Sequence, residues 1–508
     1  MKYTVGQYDD IKEKVLLMND EELLKAVCCP DAVPGREQEG RVETPLVFLH
    51  PSTKEKLEGT VKKLRDKFEE EVIILGDLEC GSGSVISGMQ AYPSFMSLGE
   101  ANDENLAYNV GRSGGKAAYD AGFRWSLAPC ADIVVKKDSP ITSIRSAGED
   151  VDRIIRICSA YMRGQQDSGI ASTIKHFPGD GITEYDHHIT TPENPLDMET
   201  WRKTYGRIYK ELIEDGAMSI MPGHISLPAY DEPYPENGLY PPATISEKLM
   251  TGLLKEELGF EGIICSDAVT MSGFCGFVNL YKACALFLKG GGDVLLFQKY
   301  DDNFINEMKK HIESGFLPRE ILRERAYRVL CFMRDLSKMK PERTDIKDEK
   351  ELCSSVVRKS VRIMRDRNNI LPFTAEKGKK ILHVSIMQNK EISDKFNEKL
   401  IAHGYETEYI SDCGPDHLCN LAQSGEYPLI ICSCSNAPSY GTNAVHTYGV
   451  IARNMMRGWT KYETPAVFVS FYHPYFHKEF EAMADTVINT YGVCEETYDE
   501  VIRQMFKE

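Results

Sequence analysis

No stretch of the 508 residues holds the run of about 18 apolar positions that a bilayer-spanning helix needs, so no membrane partner is expected. The chain also lacks positive charge: 60 Lys and Arg face 77 Asp and Glu, a net charge of −17. Nucleic-acid binders present a basic face, so nucleic acid is excluded as the main partner. A neutral ligand suits this balance better than a polyanion does. The opening MKYTVGQYDDIKEKVLLMND shows no basic segment followed by an apolar one, and reads as no secretory signal. The 15 cysteines lack paired zinc-ligand spacing, even at CC (28–29) and CSC (432–434). Scattered thiols of this kind point to a reducing, cytoplasmic setting. Internal repeats and low-complexity tracts are missing too.

What the chain does have is length for two or three cores and a regular alternation of pattern. Short apolar runs appear at VIILGD (72–77), WSLAPCAD (125–132), ASTIKH (171–176), AMSIMPGH (217–224), GIICSD (262–267) and DVLLF (293–297). Amphipathic stretches lie between them, such as 149–169 and 245–259. This is the pattern of parallel strands joined by crossover helices. Several runs end in a polar group: Asp77, Asp132, His176, His224 and Asp267. Both a (β/α)8 barrel and an open doubly wound sheet place ligands at such strand ends; the spacing over some 260 residues favours the barrel. The fold class expected is therefore α/β, a (β/α)8 TIM-like barrel over residues 1–336. A charged linker and connecting helix follow at 337–370, with SSVVRKSVRIMRD read as helical. A smaller α/β sandwich domain is expected over 371–508, its strands apolar because both faces are covered. It is expected to pack on the barrel or help form the rim of its site.

Candidate chemistry concentrates at three places. GIICSD delivers Asp267 at a strand end, either into a shared site or as a helix cap. KHFPGDGITEYDHH (175–188) ends a strand at Lys175-His176 and then turns into a loop carrying Asp186 and His188. Their i, i+2 spacing in extended backbone puts the two side chains on one face. A carboxylate beside an imidazole orients the ring and raises its proton affinity, which suits general acid/base work. The same stretch also reads as a zinc site through His176, Asp186 and His188, or as a solvated polar loop. LGDLECGSG (75–83) places Asp77 and Glu79 before a glycine-rich turn that lacks the phosphate-loop patterns, and so suits sugar hydroxyls better than phosphate. Arg145, in SIRSAGED, reads as a ligand or as a surface ion pair.

Taken together these stretches resemble glycoside hydrolase family 3, specifically its β-N-acetylhexosaminidase branch. KHFPGDG matches K-H-F-P-G-H-G in six of seven places, and Asp186-His187-His188 resembles D-S-H. MPGHISLPAY, IRSAGED, GDLECG and the segment 244–271 resemble further family motifs, in order. The resemblance implies a retaining exo-β-glycosidase (EC 3.2.1 class) that needs no cofactor and no metal. Asp267 would be its nucleophile and His188 its acid/base, with Asp186 as partner. Asp77, Arg145, Lys175 and His176 would bind the sugar, His224 would line the pocket, and Asp132 and Met271 would complete the substrate-binding set. His187 receives no role and is expected to face solvent. Three departures stand out: Asp180 replaces the second histidine of the signature, Cys80 replaces a glycine, and SGSVISG replaces an arginine-bearing turn. Readings that stay open are a β-glucosidase, a β-xylosidase or a phosphorolytic enzyme on this scaffold, a zinc-dependent barrel hydrolase, and a silent sugar-binding relative.

Overall fold

The computed structural model describes residues 2–36, 42–68, 71–342, 348–376, 378–386, 389–411, 413–434 and 453–507. In the first 300 residues the barrel strands are β1 (Cys28–Cys29), β2 (Asp31–Ala32), β3 (Leu46–Leu49), β4 (Ile73–Gly76), β5 (Phe123–Ser126), β6 (Ala171–Phe177), β7 (Ser219–Pro222), β8 (Ile263–Ile264) and β9 (Leu295–Leu296). Seven of them form one parallel sheet in the order β8-β7-β6-β5-β4-β3-β2. The ends of that sheet meet. β1, one residue before β2, pairs with β9, and a bridge joins Cys265 after β8 to Val294 before β9. Pro30 O accepts from Phe48 N on one side while Cys29 O accepts from Phe297 N on the other. Closure leaves no strand edge unpaired, the property that defines a barrel.

Sequence patterning found six of these strands. It missed 28–32 and 46–49, because Pro30 breaks the first into two-residue pieces and the second is buried on both faces, so neither alternates. The interior shows how the polar residues in the strands are tolerated: Trp125 Nε1 donates to Thr173 Oγ1 at 2.7 Å, so neither buried group is orphaned. Helices α1 (Glu104–Asp120), α2 (Val151–Asp167) and α3 (Tyr205–Glu214) lie between strands; of the two stretches expected to be helical, 149–169 forms α2 and 245–259 winds as a π-helix over Lys248–Glu257. Asp150 caps α2 by accepting from Arg153 N, and Ile154, Ile157, Cys158, Tyr161 and Gln165 form its buried stripe. The last barrel helix, α4, runs over Arg319–Lys338.

The connection differs from expectation. Helix α5 (Glu349–Ser360) closes at Val361, whose N–H reaches Val357 O, and the chain then turns into strand β10 (Arg362–Asp366). VRIMRD is thus an edge strand of the second sheet, antiparallel to β15 (Thr486–Asn489), and not the end of a helix. The rest of that sheet is β11 (Ile381–Ser385), β12 (Thr407–Ile410), β13 (Ile430–Cys434) and β14 (Ala466–Ser470), in the order β10-β15-β14-β13-β11-β12, parallel except at β10. Helices α6 (Lys390–Ala402) and α7 (Glu495–Met505) lie on it. The second unit packs on the barrel. Tyr475 and Tyr491, beyond the ends of β14 and β15, join Met96, Val134 and Ile144 in one buried cluster, and Ser113 donates to Glu349 at 2.9 Å.

Candidate active site

Strand β6 carries the centre of the site. Successive residues of a strand face opposite ways, yet Lys175 and His176 both project into the barrel mouth. A register shift against β7 between Lys175 and Phe177 makes this possible, since a bulge re-aims a side chain. Lys175 Nζ lies 2.7 Å from Glu79 Oε1 and 3.1 Å from Asp77 Oδ1. Glu79 also receives two bonds from Arg145, at 2.9 and 2.7 Å. Burial would push the Glu79 carboxyl up, but Arg145 and Lys175 outweigh it and hold Glu79 well below the usual range. Burial likewise opposes the Lys175 charge, and Asp77 and Glu79 overcome it. Glu79 is therefore the hub of this corner, and Asp77, with half its side chain exposed, is the member that faces the opening. The loop bearing both is anchored by Tyr161 Oη and Gln165 Nε2, which donate to Leu78 O.

Asp132 does not face the opening. It is fully buried, and its oxygens accept from His176 N at 3.1 Å, Asp180 N at 2.7 Å and the His176 ring at Nδ1, 2.8 Å away. Its carboxylate thus fixes His176. Burial raises the Asp132 carboxyl while His176 lowers it more, to about 2; burial also lowers His176, which stays neutral and donates through Nδ1. His224 is sealed as well: Thr244 Oγ1 and Ala268 O occupy its two nitrogens, and burial pushes it down to about 4. The substrate-facing places expected of Asp132 and His224 are corrected for this reason, since neither has a polar atom to offer. Met271 is half-buried at the start of the short helix Ser272–Cys275.

The largest correction concerns His187. It is fully buried, with Nδ1 2.5 Å from Asp180 Oδ2 and Nε2 3.1 Å from Asp267 Oδ2. Burial works against its charge, yet the two carboxylates raise it to about 10. Asp267 is pushed up by burial, but the His187 bond and charge hold it well below the carboxylate range. Its other oxygen accepts from Ala268 N at 2.8 Å. One signal in the sequence pointed this way: a carboxylate at 180 and an extra histidine at 187, both departures from the motifs around them.

His188 stacks on His187 with ring centroids 4.7 Å apart, and its Nδ1 lies 2.6 Å from Asp186 Oδ1. Asp186 is buried, whereas about a fifth of the His188 side chain is exposed. Gly273 lets this loop lie close: a Cβ there would stand 2.1 Å from His187 O and 2.4 Å from Thr190 O. The zinc trio of His176, Asp186 and His188 is not gathered. Among the described residues, His176, His187 and Asp267 converge instead, as do Cys130, Asp132 and His176, within groups that already hydrogen-bond one another.

The assembly is a closed barrel whose mouth holds a charge-locked carboxylate next to a carboxylate-backed histidine, the equipment of an enzyme that works on glycosidic bonds. The chain belongs to glycosyl hydrolase family 3: the profile of that family's N-terminal domain matches residues 47–332. It is similar to a beta-N-acetylglucosaminidase/beta-glucosidase of Cellulomonas fimi, at 25% identity over 88% of this chain and 83% of the relative. A beta-hexosaminidase of Neisseria meningitidis is 28% identical over 49% of this chain and 68% of its own. The solved structure of the beta-glucoside phosphorylase BglX superposes with a TM-score of 0.88 at 25% identity, covering 99% of this chain and 95% of that one.

Proposed function

We propose that the chain cleaves terminal β-glycosides with retention, through a glycosyl ester on Asp267. His188 gives a proton to the leaving oxygen and then takes one from the incoming acceptor, with Asp186 orienting its ring and stabilising its charge. The observation that carries this reading is the pairing of an ionised Asp267 with a partly exposed, carboxylate-backed His188 one ring-stack away. Asp77, the Lys175–Glu79–Arg145 cluster and His176 form the sugar subsite, where fixed charged donors and acceptors match a ring of hydroxyls. The preferred sugar is N-acetylglucosamine, supported by the name of the Cellulomonas fimi relative, a beta-N-acetylglucosaminidase/beta-glucosidase, and consistent with that of the Neisseria beta-hexosaminidase. The 15 free thiols support a cytoplasmic setting.

Phosphorolysis is a second reading with its own support: the histidine acid/base repels an incoming phosphate less than a carboxylate does, and BglX, similar over nearly the whole chain, is a phosphorylase. A screen of p-nitrophenyl β-glycosides of N-acetylglucosamine, glucose and xylose, each with and without phosphate, tests both. Release from the N-acetylglucosaminide without phosphate supports hydrolysis of that sugar. A strict phosphate requirement moves the function to the second reading, and no release from any of the three refutes both.

A further inference from the structure

Three His–Asp pairs stand side by side at the barrel mouth, and the proposed function leaves one of them, Asp180–His187, without a role. Asp186–His188 reaches the opening, while Asp180–His187 is sealed behind Asp267. A neutral imidazole donates through one nitrogen only. His187 has a carboxylate oxygen within hydrogen-bond distance of each nitrogen, so both contacts are satisfied together only when both nitrogens carry protons. Asp180 is itself held in place, since Gly181 N donates to its second oxygen, Tyr205 Oη donates to its backbone carbonyl, and its own N–H donates to Asp132. The other ionisable groups facing His187 are His176, His188 and His224, with ring centroids at 4.8, 4.7 and 6.4 Å. His176 and His224 are kept neutral by burial and so place no competing charge against it.

From this geometry we infer that Asp180 and His187 are positioning residues that hold a permanent cation on Asp267 and thereby favour breakdown of the glycosyl-enzyme over its formation. The inference rests on Asp267 being the nucleophile. In the first step an Asp267 oxygen bonds to the anomeric carbon, the bond to the leaving oxygen breaks, and that oxygen keeps the electron pair and takes a proton from His188. In the second step water bonds to the anomeric carbon and passes a proton to His188, while the ester bond breaks and its pair returns to Asp267. His187 keeps both protons throughout. A cation stabilises the carboxylate more than the neutral ester, since a charge-assisted hydrogen bond is about twice as strong as a neutral one. It therefore slows the first step and speeds the second.

Stopped-flow release of dinitrophenolate from 2,4-dinitrophenyl β-N-acetylglucosaminide and β-glucoside tests the effect in the wild type, in Asp180→Asn and in His187→Gln. The glutamine keeps a neutral donor beside Asp267 and serves should the buried asparagine prevent folding. The variants are expected to show a burst of about one equivalent per enzyme, then a steady rate roughly tenfold below wild type. The acid limb of their kcat/KM profile, which reports the free enzyme, moves to higher pH as Asp267 loses its cation. A merely structural role would instead slow both steps without a burst. Independently, 15N-histidine NMR of the wild type, with His187→Gln identifying the resonance, is expected to show both His187 nitrogens protonated at pH 7. A neutral His187, or variants without a burst, overturns the inference while Asp267 stands as nucleophile. If the wild type releases no dinitrophenolate from either glycoside although His187 is doubly protonated, the proposed function itself has failed and takes the inference with it.

Discussion

Two buried histidines, one in each half of the molecule, were given opposite chemistry by their neighbours. His187 in the barrel mouth and His383 on β11 of the second sheet are both fully buried and both hydrogen-bonded at each nitrogen. His187 faces Asp180 and Asp267 and is raised to about 10. His383 faces the amide of Asn397 and the hydroxyl of Ser433, stacks on Tyr409, and is pushed down to about 4 by burial. Burial alone makes a histidine neutral; carboxylates on both sides reverse it. The mouth of the barrel gathers such charges, whereas the partners of His383 in the second sheet are neutral. This is why chemistry is expected in the first and support in the second.

That contrast breaks most sharply at Asp267. Asp267→Asn is expected to lower turnover of aryl β-glycosides by on the order of 10^5 with the circular dichroism spectrum unchanged; near-wild-type rates would remove the nucleophile from the account. His188→Ala is expected to cost roughly a hundredfold to ten-thousandfold with poor leaving groups and far less with dinitrophenolate, which needs little protonation. An equal loss across leaving groups would argue against an acid role. Glu79→Gln is expected to cost about 3–5 kcal/mol in thermal or denaturant unfolding, because Lys175 and Arg145 stay buried without their shared carboxylate. Its KM should also rise.

The smallest effects sharpen the histidine comparison through pH. His187 binds its proton more tightly in the folded state than its ordinary value near 6.5, so its stabilisation is complete below pH ~6.5 and is lost as pH rises through about 10. His383 resists its proton when folded, so stability falls as pH drops from ~6.5 towards 4. Melting curves of His187→Gln should therefore show a flatter alkaline decline, and those of His383→Leu a flatter acid one. His383→Leu should leave kcat within about twofold while removing about 1–3 kcal/mol of stability, since Asn397 and Ser433 lose their partner. Equal pH slopes in both variants would dissolve the contrast.

Much of the barrel was legible because its strands end in polar residues at regular spacing and its helices carry apolar stripes. The strands at 28–32 and 46–49 were not, since short pieces without alternation give no periodic signal. Nor was β10: VRIMRD continues a helical pattern in sequence, and only its pairing with Thr486–Asn489 settles it as a strand. Within the site, motif order located Asp267, Asp186, His188, Lys175 and Arg145, residues the fold does bring to one mouth. Burial was the hidden variable. Asp132 and His224 sit at strand ends like Asp77, yet their oxygens and nitrogens are taken up inside the protein. His187, lying between two residues of a recognisable pair, looked superfluous because its partners, Asp180 and Asp267, are 7 and 80 positions away.

The most direct test of the central claim, a covalent bond to Asp267, is trapping. Wild type incubated with 5-fluoro-β-N-acetylglucosaminyl fluoride or 5-fluoro-β-glucosyl fluoride, digested and mapped by mass spectrometry, should carry one fluoroglycosyl unit on the peptide containing Asp267. The Asp267→Asn variant should carry none. A label on a different carboxylate, or inactivation with no covalent label on any peptide, would contradict the account.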